Sequence, residues 1–149
     1  MPRRPDPIRL PALAFALRLA ALVLLAALAM TPARADPAGD SRAAIERQLD
    51  AMAAGDFDSA YAIAAPGIQA LFPSAGIFEQ MVRQGYPMVV APRARTFLGM
   101  ETRDGLLIQR LRLVDGAGRA WVARYFMREI DGVWRIAGVE IEPAADLAA

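Results

Sequence analysis

The side chains that could perform chemistry in this chain are carboxylates, tyrosines and arginines, because the sequence contains no His, no Cys and no Lys. Those absences exclude Ser-His-Asp and Cys-His catalysis, Schiff-base chemistry, thiol redox reactions and the usual zinc sites. We therefore predict no metal and no cofactor. Acid-base catalysis by a carboxylate and a tyrosine stays open, since burial can give a carboxylate a pKa suited to proton transfer.

The three tyrosines, Tyr61, Tyr86 and Tyr125, could line a pocket and donate hydrogen bonds, because a buried phenol needs a partner. A role as core aromatics explains them equally well. The sequence therefore nominates them as candidate ligand-binding residues and assigns no catalytic residue.

Five carboxylates are candidates for a polar role. Asp56, Asp58 and Glu79 could place a base near a tyrosine, but the two aspartates lie at a predicted helix start, where the dipole and the cap favour acids. Strand alternation puts Glu140 and Glu142 on the same side as the last tryptophan, where they could stand at a pocket mouth. Solvation beyond the helical cover explains these two glutamates as simply.

The stretch 121–141 is predicted to form a hairpin around Asp131-Gly132, because a type I′ turn needs two residues with positive φ. The pairs that follow are Ile130 with Val133, Glu129 with Trp134, Met127 with Ile136, and Tyr125 with Gly138. One face then collects Trp121, Ala123, Tyr125, Met127, Trp134 and Ile136. Both tryptophans thus join the candidate pocket residues, since a one-residue slip would bury arginines instead.

Five arginines crowd the opposite face of the predicted sheet: Arg110, Arg112, Arg124, Arg128 and Arg135. Arg110 would oppose Arg124, and Arg128 would oppose Arg135. Like charges across a ladder are destabilising, so an anionic partner, a protein surface or a second subunit could offset them. Solvated, splayed side chains are the alternative. These arginines are the candidate interface residues.

Helical periodicity precedes the strands. Residues 41–54 form an amphipathic helix with Asp40 or Ser41 as its N-cap, a second helix runs from Asp56 toward Pro66, and a third spans 77–84. The segment from Tyr86 to Pro92 is predicted to be extended.

The strands that follow the helices are 96–101, 106–114 and the two of the hairpin. Asp104-Gly105 supplies a second tight turn, and a three-residue turn at 116–118 would pair Leu113 with Trp121 and Leu111 with Ala123. The fold class is therefore α+β, with N-terminal helices packed on a curved four-stranded antiparallel sheet.

The N-terminal segment is predicted to be a secretory signal peptide. Four arginines precede an apolar run at 19–30, and Ala33-Arg34-Ala35 provides a small-residue cleavage site, so we place cleavage after Ala35. An uncleaved membrane anchor is the alternative. The remaining regions are a flexible leader at 36–40, a domain at 41–142 and a tail at 143–149. We expect the exported protein in the periplasm, with no further membrane contact.

Removing residues 1–35 takes away five arginines and one aspartate and leaves a net charge of −3. Nucleic-acid binding is not expected, because it requires a strongly basic surface.

The helical hairpin, the segment Met81-Val82-x-x-Gly85-Tyr86-Pro87 and the closing strand Gly132-x-Trp134-Arg135-Ile136 together resemble the NTF2-like (cystatin-like) superfamily. More narrowly, they resemble a proteobacterial exported family known only as a domain of unknown function. The resemblance implies a pocket between the helices and a concave sheet, but its catalytic patterns match no position here. We therefore expect non-catalytic binding of a small apolar ligand or a protein partner, with an isomerase or lyase of the carboxylate-tyrosine type as the alternative.

Overall fold

Residues 35–145 are described by a computed structural model, in which helices precede strands as predicted. The helices are α1 (Pro37–Ala53), α2 (Phe57–Ala62), α3 (Pro66–Leu71), α4 (Ala75–Gly85) and α5 (Pro87–Val90). The strands are β1 (Ala94–Arg103), β2 (Leu106–Val114), β3 (Ala120–Ile130) and β4 (Val133–Pro143). They form an antiparallel sheet in the order β1-β2-β3-β4, which confirms the α+β class. Almost all of the predicted signal peptide and the end of the tail lie outside the described residues.

The first helix begins earlier than predicted. The Asp36 carboxylate accepts a hydrogen bond from the Gly39 N–H at 3.0 Å, and Pro37 occupies the first turn of α1. Proline suits that position because the N–H it lacks would have no helical partner there. The segment 36–40, predicted to be a flexible leader with the cap at Asp40 or Ser41, is therefore the cap and first turn of α1.

The segment after α4 also differs from the prediction. No peptide bond within residues 35–145 is cis. The segment contains the short helix α5, where an extended chain was predicted. The reason is again a proline, because Pro87 starts α5 while Tyr86 before it stays outside helical space, with φ −136° and ψ 46°.

The predicted turns are confirmed. Asp104-Gly105 and Asp131-Gly132 each have φ values of 52° and 75°, as a type I′ turn requires. The loop at 116–118 ends on Gly118 with φ 81°. It pairs Leu113 with Trp121 and Leu111 with Ala123, which is the predicted register.

The register of β4 departs from the prediction halfway along the strand. Met127 pairs with Ile136 as predicted, but Phe126 pairs with Gly138, so Ala137 is an extra residue in a β-bulge. Tyr125 therefore faces Val139 and not Gly138. A bulge exchanges the two faces of the strand beyond it. Here it keeps apolar side chains on the covered face and moves the acids off it.

The helices pack on the sheet face that carries both tryptophans, which we term the inner face. Its most deeply buried side chains, together with those of α1, are Ile45, Leu49, Leu111, Leu113, Tyr125, Met127 and Ile136. Trp121 and Trp134 are partly buried and pack against this core. The predicted orientation of the sheet is therefore confirmed.

The free edge of β4 is partly covered by the chain between α2 and α3. The Ala65 N–H donates to the Ile136 carbonyl at 2.8 Å, and the Ile136 N–H donates to the Ile63 carbonyl at 3.1 Å. Pairing of this kind protects an edge strand from adding a foreign strand. It also anchors the chain at the point where α3 begins.

Candidate functional site

A cavity of about 180 Å³ lies between the helices and the sheet. α1 contributes Gln48 and Met52, which are one helical turn apart, and α4 contributes Phe78, Met81 and Val82. The periodicity of both helices turns these side chains inward, because residues three or four positions apart share a face.

The sheet side of the cavity depends on the β4 bulge. Ile136, Val139 and Ile141 all line it, together with Tyr125 of β3. Without the extra residue Ala137, alternation would turn Val139 and Ile141 to the opposite face. α3 supplies Ile68 and is followed by Phe72, which closes the remaining side.

Tyr125 is the most enclosed polar residue of the cavity wall, with 1% of its surface exposed. Its hydroxyl has no hydrogen-bond partner within the described chain, and burial raises the pKa of this phenol well above its ordinary value. Every fully buried side-chain nitrogen or oxygen atom in residues 35–145 has a hydrogen-bond partner. The Tyr125 oxygen must therefore open onto cavity space, as a protonated group ready to donate.

Gln48 is the second enclosed polar residue of the wall, at 4% exposure. Its Nε2 donates to the Ala60 carbonyl at 3.1 Å. Because a carbonyl only accepts, the amide nitrogen must face Ala60, and this fixes Oε1 on the other side. Oε1 has no hydrogen-bond partner among residues 35–145. Like the Tyr125 oxygen, it is therefore not fully buried. Gln48 was not among the candidate residues predicted from the sequence.

Tyr86 also lines the cavity, as predicted for a pocket residue, but it lies where the wall meets solvent. Its exposure is 36%, so its hydroxyl remains accessible to water. It follows α4 directly and precedes Pro87, which sets its position at the rim.

Tyr61 lies outside the cavity wall, in contrast to the prediction. Its hydroxyl donates to the Phe72 carbonyl at 2.6 Å, and the Gln69 Nε2 donates to the Tyr61 carbonyl at 3.1 Å. Its ring packs against Phe78 with the centroids 5.6 Å apart. Tyr61 therefore holds α3 and the following residue against α2, and acts on the cavity only through that support.

The tryptophans are also outside this cavity wall. Trp134 packs against the core, and Trp121 donates from Nε1 to the Asp115 carboxylate at 2.9 Å. Asp115 also accepts from the Ala117 and Arg119 N–H groups, each at 2.9 Å. The pKa of Asp115 is lowered to about 2. The hydrogen bond from Trp121 is the largest cause, and those from Arg119 and Ala117 act in the same direction. This cluster stabilises the β2–β3 turn.

Glu140 lies on the outer face and not at the cavity mouth. The bulge reverses its side, and its carboxylate forms an ion pair with Arg124 that raises the pKa of this arginine. Arg110 faces Arg124 as predicted. The carboxylate of Glu140 offsets the repulsion between these two arginines, for which the sequence had suggested an external partner.

The other predicted arginine pair is also present. Arg128 faces Arg135 across β3 and β4, and Arg135 turns to donate from Nη1 to the Ala62 carbonyl at the end of α2. A guanidinium there satisfies a carbonyl that the helix leaves open. Arg112 faces Val122 and is exposed. Of the five arginines, Arg124 and Arg135 thus have acceptors among the described residues. The interface role of this face stays a prediction.

Acid-base chemistry in the cavity would need a carboxylate, and none of its lining residues is Asp or Glu. Asp56 caps α2 by accepting from the Ser59 N–H at 3.0 Å, and the Ser59 hydroxyl, followed in effect by this N–H, lowers the pKa of Asp56. Glu79 pairs with Arg83 at 2.7 Å on the surface of α4. In the part of the chain that the structure covers, no three acidic residues come together as a metal site would require. Asp56 and Glu79 therefore serve local structure.

Within 35–145, none of the helices has the length and apolar character needed to span a membrane.

Comparison with known proteins places the chain in a family. It is similar to the crystal structure of an NTF-2 like protein of unknown function from Burkholderia xenovorans LB400, with a TM-score of 0.47 and 18% sequence identity over 74% of this chain and 88% of that one. None of the curated proteins compared with it matches. Residues 35–149 match the family described as Domain of unknown function (DUF4864). Because that match covers most of the sequence and agrees with the resemblance found in its motifs, the chain belongs to this family of domains of unknown function.

Proposed function

We propose that this domain binds a small, predominantly apolar molecule in the cavity between its helices and its sheet, without catalysing a reaction. The observation that carries the proposal is the composition of the cavity wall, in which ten of thirteen lining residues are apolar and none is charged. Ligand sites typically combine an apolar wall with a few placed polar groups. Gln48 and Tyr125 are such groups here.

The volume of the cavity limits the size of the ligand. At about 180 Å³ it is slightly larger than an apolar cavity of about 150 Å³ that accepts benzene, and smaller than the roughly 300–1,000 Å³ of sites for drug-sized molecules. The ligand we propose is therefore a molecule with one substituted ring, or a short branched chain of similar bulk.

Binding is favoured over the carboxylate-tyrosine enzyme because of what the wall contains. A general base must lie within hydrogen-bond reach of its substrate. The described wall offers amide and phenol groups but no carboxylate. A phenol whose pKa is raised by burial is also a poor base near neutral pH.

We further propose that the domain works outside the cytoplasm after removal of residues 1–35. The basic segment, the apolar run and the Ala33-Arg34-Ala35 site support export, and the family match begins at residue 35, next to the proposed cleavage site. The mass of the protein from the periplasmic fraction tests this directly. A chain that starts at Asp36 supports it, whereas the full-length mass in the membrane fraction contradicts it.

The binding proposal is tested with toluene as a probe and with two matched substitutions on β4. Val139 lines the cavity, whereas Val133 is 46% exposed on the same strand. Toluene at ten times its Kd should stabilise the wild type by about 1.4 kcal/mol, which raises Tm by several degrees. Val139→Phe fills the cavity and should abolish this rise, while Val133→Phe should preserve it.

Native mass spectrometry of the exported protein gives an independent measurement. A co-purifying small molecule that is lost in Val139→Phe and retained in Val133→Phe supports the proposal. An equal toluene response in all three proteins contradicts it, because the probe would then bind elsewhere.

A further inference from the structure

We infer that Gln48 and Tyr125 are the specificity-determining residues of the cavity and that together they select a neutral ligand carrying a hydroxyl group. This inference rests on the proposed binding function and adds to it the chemical class of the ligand. It depends on two polar atoms of the cavity wall, the Tyr125 hydroxyl oxygen and the Gln48 Oε1, that form no hydrogen bond within residues 35–145.

The first group is the Tyr125 hydroxyl. The residue is 1% exposed, lines the cavity and makes no hydrogen bond with its described neighbours. The hydroxyl opens onto the cavity, so only water or a ligand can pair with it there. A ligand oxygen that accepts from this hydroxyl replaces the hydrogen bond to water that occupancy of the cavity removes. An apolar ligand of the same size cannot.

The second group is the Oε1 atom of Gln48. The bond from Nε2 to the Ala60 carbonyl, at 3.1 Å, fixes the amide plane and commits the nitrogen to the protein. The oxygen remains as an acceptor in a residue that is 4% exposed and lines the same cavity. An acceptor that cannot also donate selects for a donor on the ligand.

The two groups together specify the polar part of the ligand. Both residues line the same cavity, so we expect a ligand hydroxyl placed between them to accept from Tyr125 and donate to Gln48, whereas an ether or a ketone can only accept. Carboxylates and ammonium groups are disfavoured, because no residue of the cavity wall carries a charge to offset their desolvation, and Arg95, whose charge acts on Tyr125 from outside the wall, is already paired with Asp50. The structure therefore favours a neutral alcohol or phenol over a charged metabolite.

Three one-ring probes separate these contributions. Toluene has no polar atom, anisole accepts but does not donate, and p-cresol, an isomer of anisole, does both. We expect the Kd measured by titration calorimetry to fall by about fivefold from toluene to anisole and again by about fivefold from anisole to p-cresol, the net effect of one hydrogen bond at each step.

Each substitution should remove one of these two steps. Tyr125→Phe deletes an oxygen that has no protein partner, so the fold should persist while the anisole preference over toluene disappears. Gln48→Met should remove the p-cresol preference over anisole, although it also frees the Ala60 carbonyl. Gln69→Met is the matched control, because the Gln69 Nε2 likewise donates to a backbone carbonyl, that of Tyr61 at 3.1 Å, but Gln69 lies outside the cavity wall, so all three affinities should keep their ratios.

The possible results are distinguishable. Loss of the corresponding step in each variant supports the inference. Binding of all three probes with equal affinity overturns the inference but agrees with the proposed binding function, and so do steps that persist in both variants. Absence of binding by every probe refutes the binding function and this inference together.

Discussion

Two tyrosines of this domain differ in what their hydroxyl groups contact, so replacing Tyr61 with phenylalanine should destabilise the domain, whereas the same replacement of Tyr125 should not. The Tyr61 hydroxyl donates to the Phe72 carbonyl at 2.6 Å, whereas the Tyr125 hydroxyl has no partner in the described residues and opens onto the cavity. Both substitutions delete a single oxygen and leave the ring in place. The difference between them therefore reports the hydrogen bond alone.

The expected magnitudes follow from these contacts. Tyr61→Phe removes one hydrogen bond and should lower the free energy of unfolding by about 1 kcal/mol, with more if the Phe72 carbonyl stays dry. Tyr125→Phe removes an unpaired polar atom from an apolar enclosure and should leave the stability unchanged or raise it by up to about 1 kcal/mol. For a domain of this size, each kcal/mol corresponds to a Tm change of roughly 4–8 °C.

Urea unfolding, followed by tryptophan fluorescence on the ligand-free exported protein, measures both values. The slope of the transition should stay constant, so that midpoint shifts report stability. The reasoning is refuted if Tyr125→Phe destabilises the domain as much as Tyr61→Phe does. That result would mean that the Tyr125 hydroxyl is already bonded in the empty protein.

Three further perturbations test other parts of the structure. Deleting Ala137 removes the β4 bulge and turns Val139 and Ile141 outward, which should lower the free energy of unfolding in urea by about 3–6 kcal/mol. The lowered pKa of Asp115, about 2 against 3.8, means that its contribution is present above pH 4 and lost toward pH 2. The stability difference between wild type and Asp115→Asn should therefore shrink over that range. Glu140→Gln leaves Arg110 and Arg124 facing each other, so Tm should fall at low salt and recover in 1 M NaCl, as screening predicts.

The turns were predictable from the sequence because their signals are local. Asp-Gly at 104–105 and 131–132 needs positive φ at both positions, and this alone fixes which residues pair next to the turn. Alternation then carries that register along the strand for as long as no residue is inserted. The same reasoning placed both tryptophans on the covered face.

The bulge could not be obtained from alternation, since alternation assumes that every residue has a partner. One signal was nevertheless present, because Ile136 and Val139 are separated by three positions and cannot share a face in a regular strand. Moving Glu140 to the outer face follows from the same insertion. One unpaired residue thus changed both the predicted cavity mouth and the predicted charge balance.

The candidate site was only partly predictable, because its wall combines elements that are distant in sequence. Tyr86 and Tyr125 were nominated from residue type, but Tyr61 and the tryptophans form bonds and contacts elsewhere. Gln48 could have been noticed as a polar residue within the apolar stripe of α1. Its partner at Ala60 depends on how α1 and α2 pack, which periodicity does not specify.

The cavity itself is the main support for the proposed ligand binding. Empty apolar space reduces stability by about 24 cal/mol per Å³, so 180 Å³ would cost at most on the order of 4 kcal/mol, and less where the rim at Tyr86 admits water. That is a large part of the 5–15 kcal/mol typical of small domains, and this chain has no cysteine with which to form a compensating disulfide. Larger side chains at Val139 or Val82 would fill the space. In the proposed complex, a bound molecule would recover that free energy through occupancy and would pair with the two polar groups of the wall that have no partner among residues 35–145.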